Sequence, residues 1–244
     1  MKFQSIVACA TIGLLGLVQA EVPKVLDYLP VGKLVKGATT VVLPPPELDK
    51  YVVKLEEAAK ANPGWFEEYS KKSAPGVPLP YDPKLGLTED EYKDYLELWA
   101  KREFKPVDPV ILQLKEGSDG RWSINAAVPQ GGSSPISTLK YDPEKDAFVS
   151  PNGTLERLED VNADKDSILG AWTGHEWKFE EKTSLGETKE NFAIGKTGDG
   201  KFGLLVYRMQ EVSSEGTRLY DKSLVIRYPM GEAGVLKTPA PGGR

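Results

Sequence analysis

Between Pro46 and Phe104, apolar residues recur every three or four positions. In ELDKYVVKLEEAAKAN, residues Tyr51, Val52, Leu55, Ala58 and Ala59 form one stripe, which predicts a helix ending near Asn62. Pro63 fits the first turn of a second, short helix that Asn62 is placed to cap, with Trp65, Phe66 and Tyr69 on its inward face. Residues 73–86 are proline-rich and predict an extended connection. LTEDEYKDYLELWAKREF then opens with Thr88 and Glu91, the spacing at which each side chain satisfies a backbone N–H at a helix start, and Tyr92, Leu96 and Trp99 follow on one face.

From Pro109 the period falls to two. Val110, Leu112 and Leu114 alternate with polar or opposite-facing neighbours, as do Trp122, Ile124, Ala126 and Val128. The same alternation returns at Phe202, Leu204 and Val206 and at Leu224, Ile226 and Tyr228, with turn-forming sets such as GSDG, YDPEKD, SPNG and TGDG between the runs. These patterns predict about eight or nine antiparallel strands between 109 and 229. The fold class is therefore α+β: an N-terminal helical region followed by an antiparallel β barrel, sandwich or curved sheet. The divisions are an extended segment at 21–45, a helical region at 46–106, a β domain at 107–230 and a flexible Gly/Pro-rich tail at 231–244.

The first twenty residues change the picture of where the chain works. Lys2 precedes an uncharged, apolar or small run from Ile6 to Val18, and small residues follow at Val18 and Ala20, the pattern of a secretory signal peptide over residues 1–20. The run is too short to act as a membrane-spanning stop, so no transmembrane helix is expected after its removal. The one cysteine, Cys9, falls inside it, which leaves the mature chain without a disulfide, a thiol nucleophile or a cysteine zinc site. Export without disulfides favours a periplasmic or secreted protein of bacterial type.

The formal charge is −5, and loss of Lys2 makes the mature chain one unit more negative. With no dense Lys/Arg stripe, this argues against nucleic acid as a partner.

Candidate chemistry is concentrated in EDVNADKDSILGAWTGHEW, residues 159–177. Asp160, Asn162, Asp164 and Asp166 stand at alternate positions, as in the first half of a helix-loop-helix calcium loop, so calcium is a possible ion there. Lys165 replaces the glycine that loop needs and Ala171 its bidentate glutamate, which favours a solvated acidic turn. His175 is the sole histidine. A strand through it puts His175 beside Trp177 and Phe179, with Trp172, Gly174 and Glu176 on the other face. Trp172 then has only polar or small neighbours on its face, so Trp172, His175 and Glu176 are the candidate ligand-binding residues.

Gly170-Ala171-Trp172 resembles the Gly-x-Trp of lipocalins over three residues, but too little chain follows it for that family's strands. GKTGDGKF matches a phosphate loop only until Phe202, and a Gly-Asp-Gly hairpin explains it. Asn152-Gly153-Thr154 has the form of a glycosylation acceptor. No nucleophile motif of a known hydrolase type occurs, and one histidine cannot build a histidine zinc site.

The residues therefore favour an exported non-catalytic module that binds a protein or a small ligand, with no obligatory cofactor. The alternatives are a carboxylate-dependent hydrolase acting on glycans, for which a pocket with paired carboxyls is required, and a calcium-stabilised adhesion or matrix component.

Overall fold

A computed structural model describes residues 21–70, 80–128 and 134–236. Residues 1–20, expected to be a signal peptide, and the last eight positions lie outside these residues, as does the first half of the 73–86 connection. No helix among the described residues is long and apolar enough to cross a membrane.

The helices fall where the three-four periodicity predicts: α1 at Asp49–Ala61, α2 at Pro63–Ser70 and α3 at Glu89–Ala100. Thr88 and Glu91 form the reciprocal cap at the start of α3. These helices have their own small core, in which Leu48, Tyr51, Tyr69, Leu85, Leu87 and Tyr92 are buried.

Among the described residues, eleven strands make one antiparallel sheet: β1 (Val35–Leu43), β2 (Glu103–Glu116), β3 (Trp122–Ala127), β4 (Lys140–Asp142), β5 (Ala147–Val149), β6 (Thr154–Arg157), β7 (Val161–Ala163), β8 (Trp172–Thr183), β9 (Gly186–Thr197), β10 (Phe202–Ser213) and β11 (Arg218–Pro229). Each strand lies beside its sequence neighbour except that β1 pairs with β11 and β6 with β8. Those two pairings close the sheet into an up-and-down barrel. β6 and β7 run along the same edge of β8, joined where Leu158 N–H donates to the Glu176 carbonyl, so they act as one strand broken at Glu159 and Asp160.

The sheet begins earlier than the period-two pattern indicates. β1 falls in the segment expected to be merely extended, and the three helices are inserted between β1 and β2. Pro106 and Pro109 mask the first half of β2, since a proline cannot donate to a ladder. They stand opposite Thr40 and Ala38, where the register shifts. At the other end, Leu236 N–H donates to the Leu34 carbonyl and Val235 bridges to Val35, so 231–236 is fastened to β1 rather than frayed.

The barrel is filled by its own side chains. The inward positions include Leu112, Trp122, Tyr141, Phe148, Leu155, Trp177, Phe192, Leu205, Tyr207, Ile226 and Tyr228, all buried. A 3-10 turn at Lys24–Leu26 closes one end with Leu26 and Leu29, and another at Pro135–Thr138 closes the opposite end with Ile136 and nearby Leu139.

A second apolar layer covers part of the outer wall. Val42 of β1 and Phe104 of β2 pack over Trp172, Ala193 and Leu204, whose side chains point away from the barrel axis. Arg102, just after α3, fastens the 164–170 loop beside them: its guanidinium donates to the carbonyls of Trp99, Lys165, Ser167 and Ile168.

Candidate functional site

Charged groups face inward at the end of the barrel closed by the Lys24–Leu26 turn. Arg157 lies opposite Trp177 in the β6–β8 pairing, so its side chain shares the inner face with Trp177, and its guanidinium sits 4.9 Å from that ring. It is held by two carboxylates. Nη1 donates to both Asp146 oxygens at 3.2 Å, and Nη2 donates to Asp160 Oδ1 at 2.5 Å.

His175 Nδ1 lies 2.8 Å from the same Asp160 oxygen and 2.7 Å from Arg157 Nη2. One nitrogen cannot donate to the first and accept from the second. The carboxylate resolves the conflict, because Nδ1–H and the guanidinium both donate to Oδ1 and are thereby drawn together. This fixes the neutral imidazole as the tautomer with its lone pair on Nε2, on a side chain 19% exposed. The Tyr28 ring meets His175 edge-on with centroids 5.8 Å apart.

Asp146 is the one described residue other than glycine with a positive φ, 47°. Its carbonyl accepts from Trp177 Nε1 at 3.0 Å and its carboxylate from Tyr141 Oη at 2.8 Å, bonds that hold the sparsely populated conformation in place. Arg157 above all, then His175, holds the Asp160 carboxyl below the usual carboxylate range. Burial foremost, and the Asp160 charge next, push the Tyr28 phenol up.

The sequence-predicted residues are thus divided. Asp160 and His175 come together. Trp172 and Glu176 project from the opposite face of β8, as the alternation requires, but Trp172 is fully buried, which corrects the expectation of an exposed binding tryptophan. The β1–β2 ribbon and the 164–170 loop cover the face that its neighbours in β8 make look polar.

Nor do the alternate acidic residues form a calcium shell. Asp160 is turned to Arg157 and His175, Asn162 lies in β7 opposite Thr173, and Asp164 Oδ1 caps the backbone N–H of Asp166. Among the described residues no group of three His, Cys, Asp or Glu side chains is placed to hold a metal. The loop does turn carbonyls toward a cation, but that cation is the Arg102 guanidinium. Excess calcium in place of chelator is accordingly expected to leave the melting temperature unchanged. A rise of several degrees would restore the ion site.

Glu176 is 2% exposed, with one oxygen accepting from Asn191 Nδ2 at 3.0 Å. Burial raises its pKa, against the smaller opposing effects of that bond and of Lys178. A carboxyl whose folded pKa lies above the unfolded value favours folding at low pH, and that contribution is lost as pH rises through the folded pKa. Glu176→Gln is therefore expected to raise the melting temperature at neutral pH and to lose this advantage on acidification. Equal melting at neutral pH would remove the burial argument.

The structure also places two further sequence features. GKTGDGKF is the hairpin between β9 and β10, with Thr197 Oγ1 bonded to Asp199 at 2.7 Å. The amide nitrogen of Asn152, where a glycan would attach, donates to the buried Glu190 at 2.9 Å.

Sequence reasoning missed Arg157, Asp146 and Tyr28. One signal was present for Arg157: in the TLER of β6 it shares the face of Leu155, and an arginine on an inward face needs partners.

Chemically, the cluster offers His175 Nε2 for one hydrogen bond with a ligand. Both carboxylates are committed to Arg157, and the lowered pKa of Asp160 is opposite to what a general acid for glycoside cleavage needs. Comparison with family models, curated proteins and solved structures finds no match for this chain.

Proposed function

We propose that this chain is an exported, non-catalytic module of a bacterial envelope or its surroundings, and that it docks an extended segment of another protein along the edge of β11. The observation that carries the reading is the projection of β8–β11. Each has twelve residues, against three or four in β4–β7, so two long hairpins extend beyond the rim.

β1 pairs with β11 at Ile226 and Arg227, and among the described residues no strand continues that ladder along the backbone from 218 to 225. Native sheets normally cover or blunt such an edge, since its unpaired N–H and C=O groups accept another strand. Here Leu219 is 65% and Tyr220 40% exposed, and Leu185, at the adjacent hairpin tip, is 83% exposed. Ser214 N–H donates to the Leu185 carbonyl at 3.0 Å and ties the two tips together.

The packed barrel argues against a small ligand held inside it and against a glycan hydrolase. The dispersed acidic residues likewise argue against a calcium-dependent adhesion role. The leader at 1–20 supports export, and the acidic charge supports a protein rather than a nucleic acid as partner.

The test is a photo-crosslinking residue at position 219 in the source cells, with position 57 on exposed α1 as control. A discrete protein adduct that disappears with Leu185→Asp supports the reading. No adduct above the control, or recovery of the chain in the cytoplasm with residues 1–20 intact, overturns it.

A further inference from the structure

We propose that Asn152 is a self-modifying residue, converted to aspartate or isoaspartate through a succinimide, with Ser150 and Glu190 as its proton relay. The turn between β5 and β6 gathers every group the reaction needs. The Gly153 backbone N–H donates to Ser150 Oγ at 3.3 Å, and Ser150 Oγ donates to Glu190 Oε2 at 2.7 Å. That same carboxylate oxygen accepts from Asn152 Nδ2 at 2.9 Å.

One carboxylate is therefore linked at once to the nitrogen that must lose a proton and to the amide that must gain one. Glu190 is 1% exposed and lies on the inner face of β9, where Tyr207 Oη donates to its other oxygen at 3.0 Å. The turn also has Asn152 N–H donating to Ser150 Oγ at 3.1 Å, Asn152 Nδ2 to Met209 Sδ at 3.7 Å and Ser150 N–H to the Gly153 carbonyl at 2.8 Å.

The fold also dictates the residue after Asn152. The Phe179 ring occupies the space into which a Cβ at position 153 would project, so glycine is required there for packing. Glycine is at the same time the residue whose backbone nitrogen is least hindered as a nucleophile.

In the reaction, Gly153 N passes its proton through Ser150 Oγ to Glu190 and forms a bond to Asn152 Cγ. Glu190 then protonates Nδ2, the Cγ–Nδ2 bond breaks, and ammonia leaves. Asn152 is exposed, so solvent water opens the resulting imide at either carbonyl. No oxidant or further reactant is consumed. The product places a second carboxyl against Glu190, where like charges oppose each other.

The folded mature chain, incubated at neutral pH, is to be compared by peptide mapping with a synthetic peptide of sequence FVSPNGTLE, which has the motif without the relay. Loss of the Asn152 amide in the folded chain is expected to run roughly a hundredfold faster, the range of positioned acid–base assistance. Ser150→Ala and Glu190→Gln should each return it to the peptide rate. Ser150→Ala leaves the Tyr207–Glu190 bond in place, so it remains informative if Glu190→Gln loosens the barrel. A folded chain that reacts no faster than the peptide, or a folded Ser150→Ala variant that keeps the full rate, overturns the proposal.

Discussion

Arg102→Ala is expected to destabilise the protein by about 3 kcal/mol, lowering its melting temperature by roughly 6–12 °C for a chain of this size. Arg102 is 7% exposed, and none of its bonds goes to a carboxylate. Its fork serves the carbonyls of Trp99, Lys165, Ser167 and Ile168, groups far apart in the chain, and it lies 5.5 Å from the Phe104 ring. Truncation leaves the Lys165 and Ile168 carbonyls without a donor, while Trp99 O keeps the backbone N–H of residue 102 and Ser167 O keeps that of Gly170; each buried group so orphaned costs about 1–3 kcal/mol, less whatever water recovers. The 164–170 loop is then released from the outer wall, so emission from Trp172 should shift to the red before global unfolding. Arg102→Lys should recover only part of the loss, because a single ammonium cannot reproduce a planar fork. Unchanged urea midpoints for both variants would show that the loop is held by its apolar contacts alone.

The second large effect is at Trp177. Trp177→Ala should cost about 4 kcal/mol, in the range for a buried tryptophan. Its ring stacks on Phe192 at 6.1 Å and meets Phe148 edge-on at 4.8 Å, and the Arg157 guanidinium sits over it at 4.9 Å. The variant therefore breaks the middle of the core and the floor of the charged cluster at once. Trp177→Phe keeps an aromatic ring but loses the Nε1 bond to the Asp146 carbonyl, and should cost about 1–2 kcal/mol. A double-mutant cycle of Trp177→Leu with Arg157→Met measures the coupling between ring and cation, expected at about 1 kcal/mol. Strict additivity would mean that the guanidinium is held by Asp146 and Asp160 alone.

Both effects arise where the chain returns to itself from a distance, and legibility in the sequence divides along the same line. The helices were readable because their signals are local: the Thr88–Glu91 cap and the stripe through Tyr51 and Leu55 lie within a few residues. Long strands such as β8 and β10 were readable for the same reason. β1 was not, because Gly37 interrupts it for a tertiary reason: a Cβ there would press on the Arg227 carbonyl and Tyr228. Within the charged cluster, His175 and Asp160 could be singled out by residue type, whereas Arg157 and Asp146 gained their meaning only from register.

The α+β class, the three helices, the alternation that puts His175 and Trp177 on one face of β8, and the hairpins at Gly-rich turns were all legible in the order of residues along the chain. These follow from repeat distances of two and 3.6 residues and from local capping chemistry. The tertiary structure alone decided that the sheet closes, that Trp172 is covered and that Arg157 binds two carboxylates. It also decided that β1 meets β11 at Ile226 and Arg227. Such features depend on which strand lies beside which and on what packs over each face, and a periodicity of side chains along one strand carries no information about its neighbour.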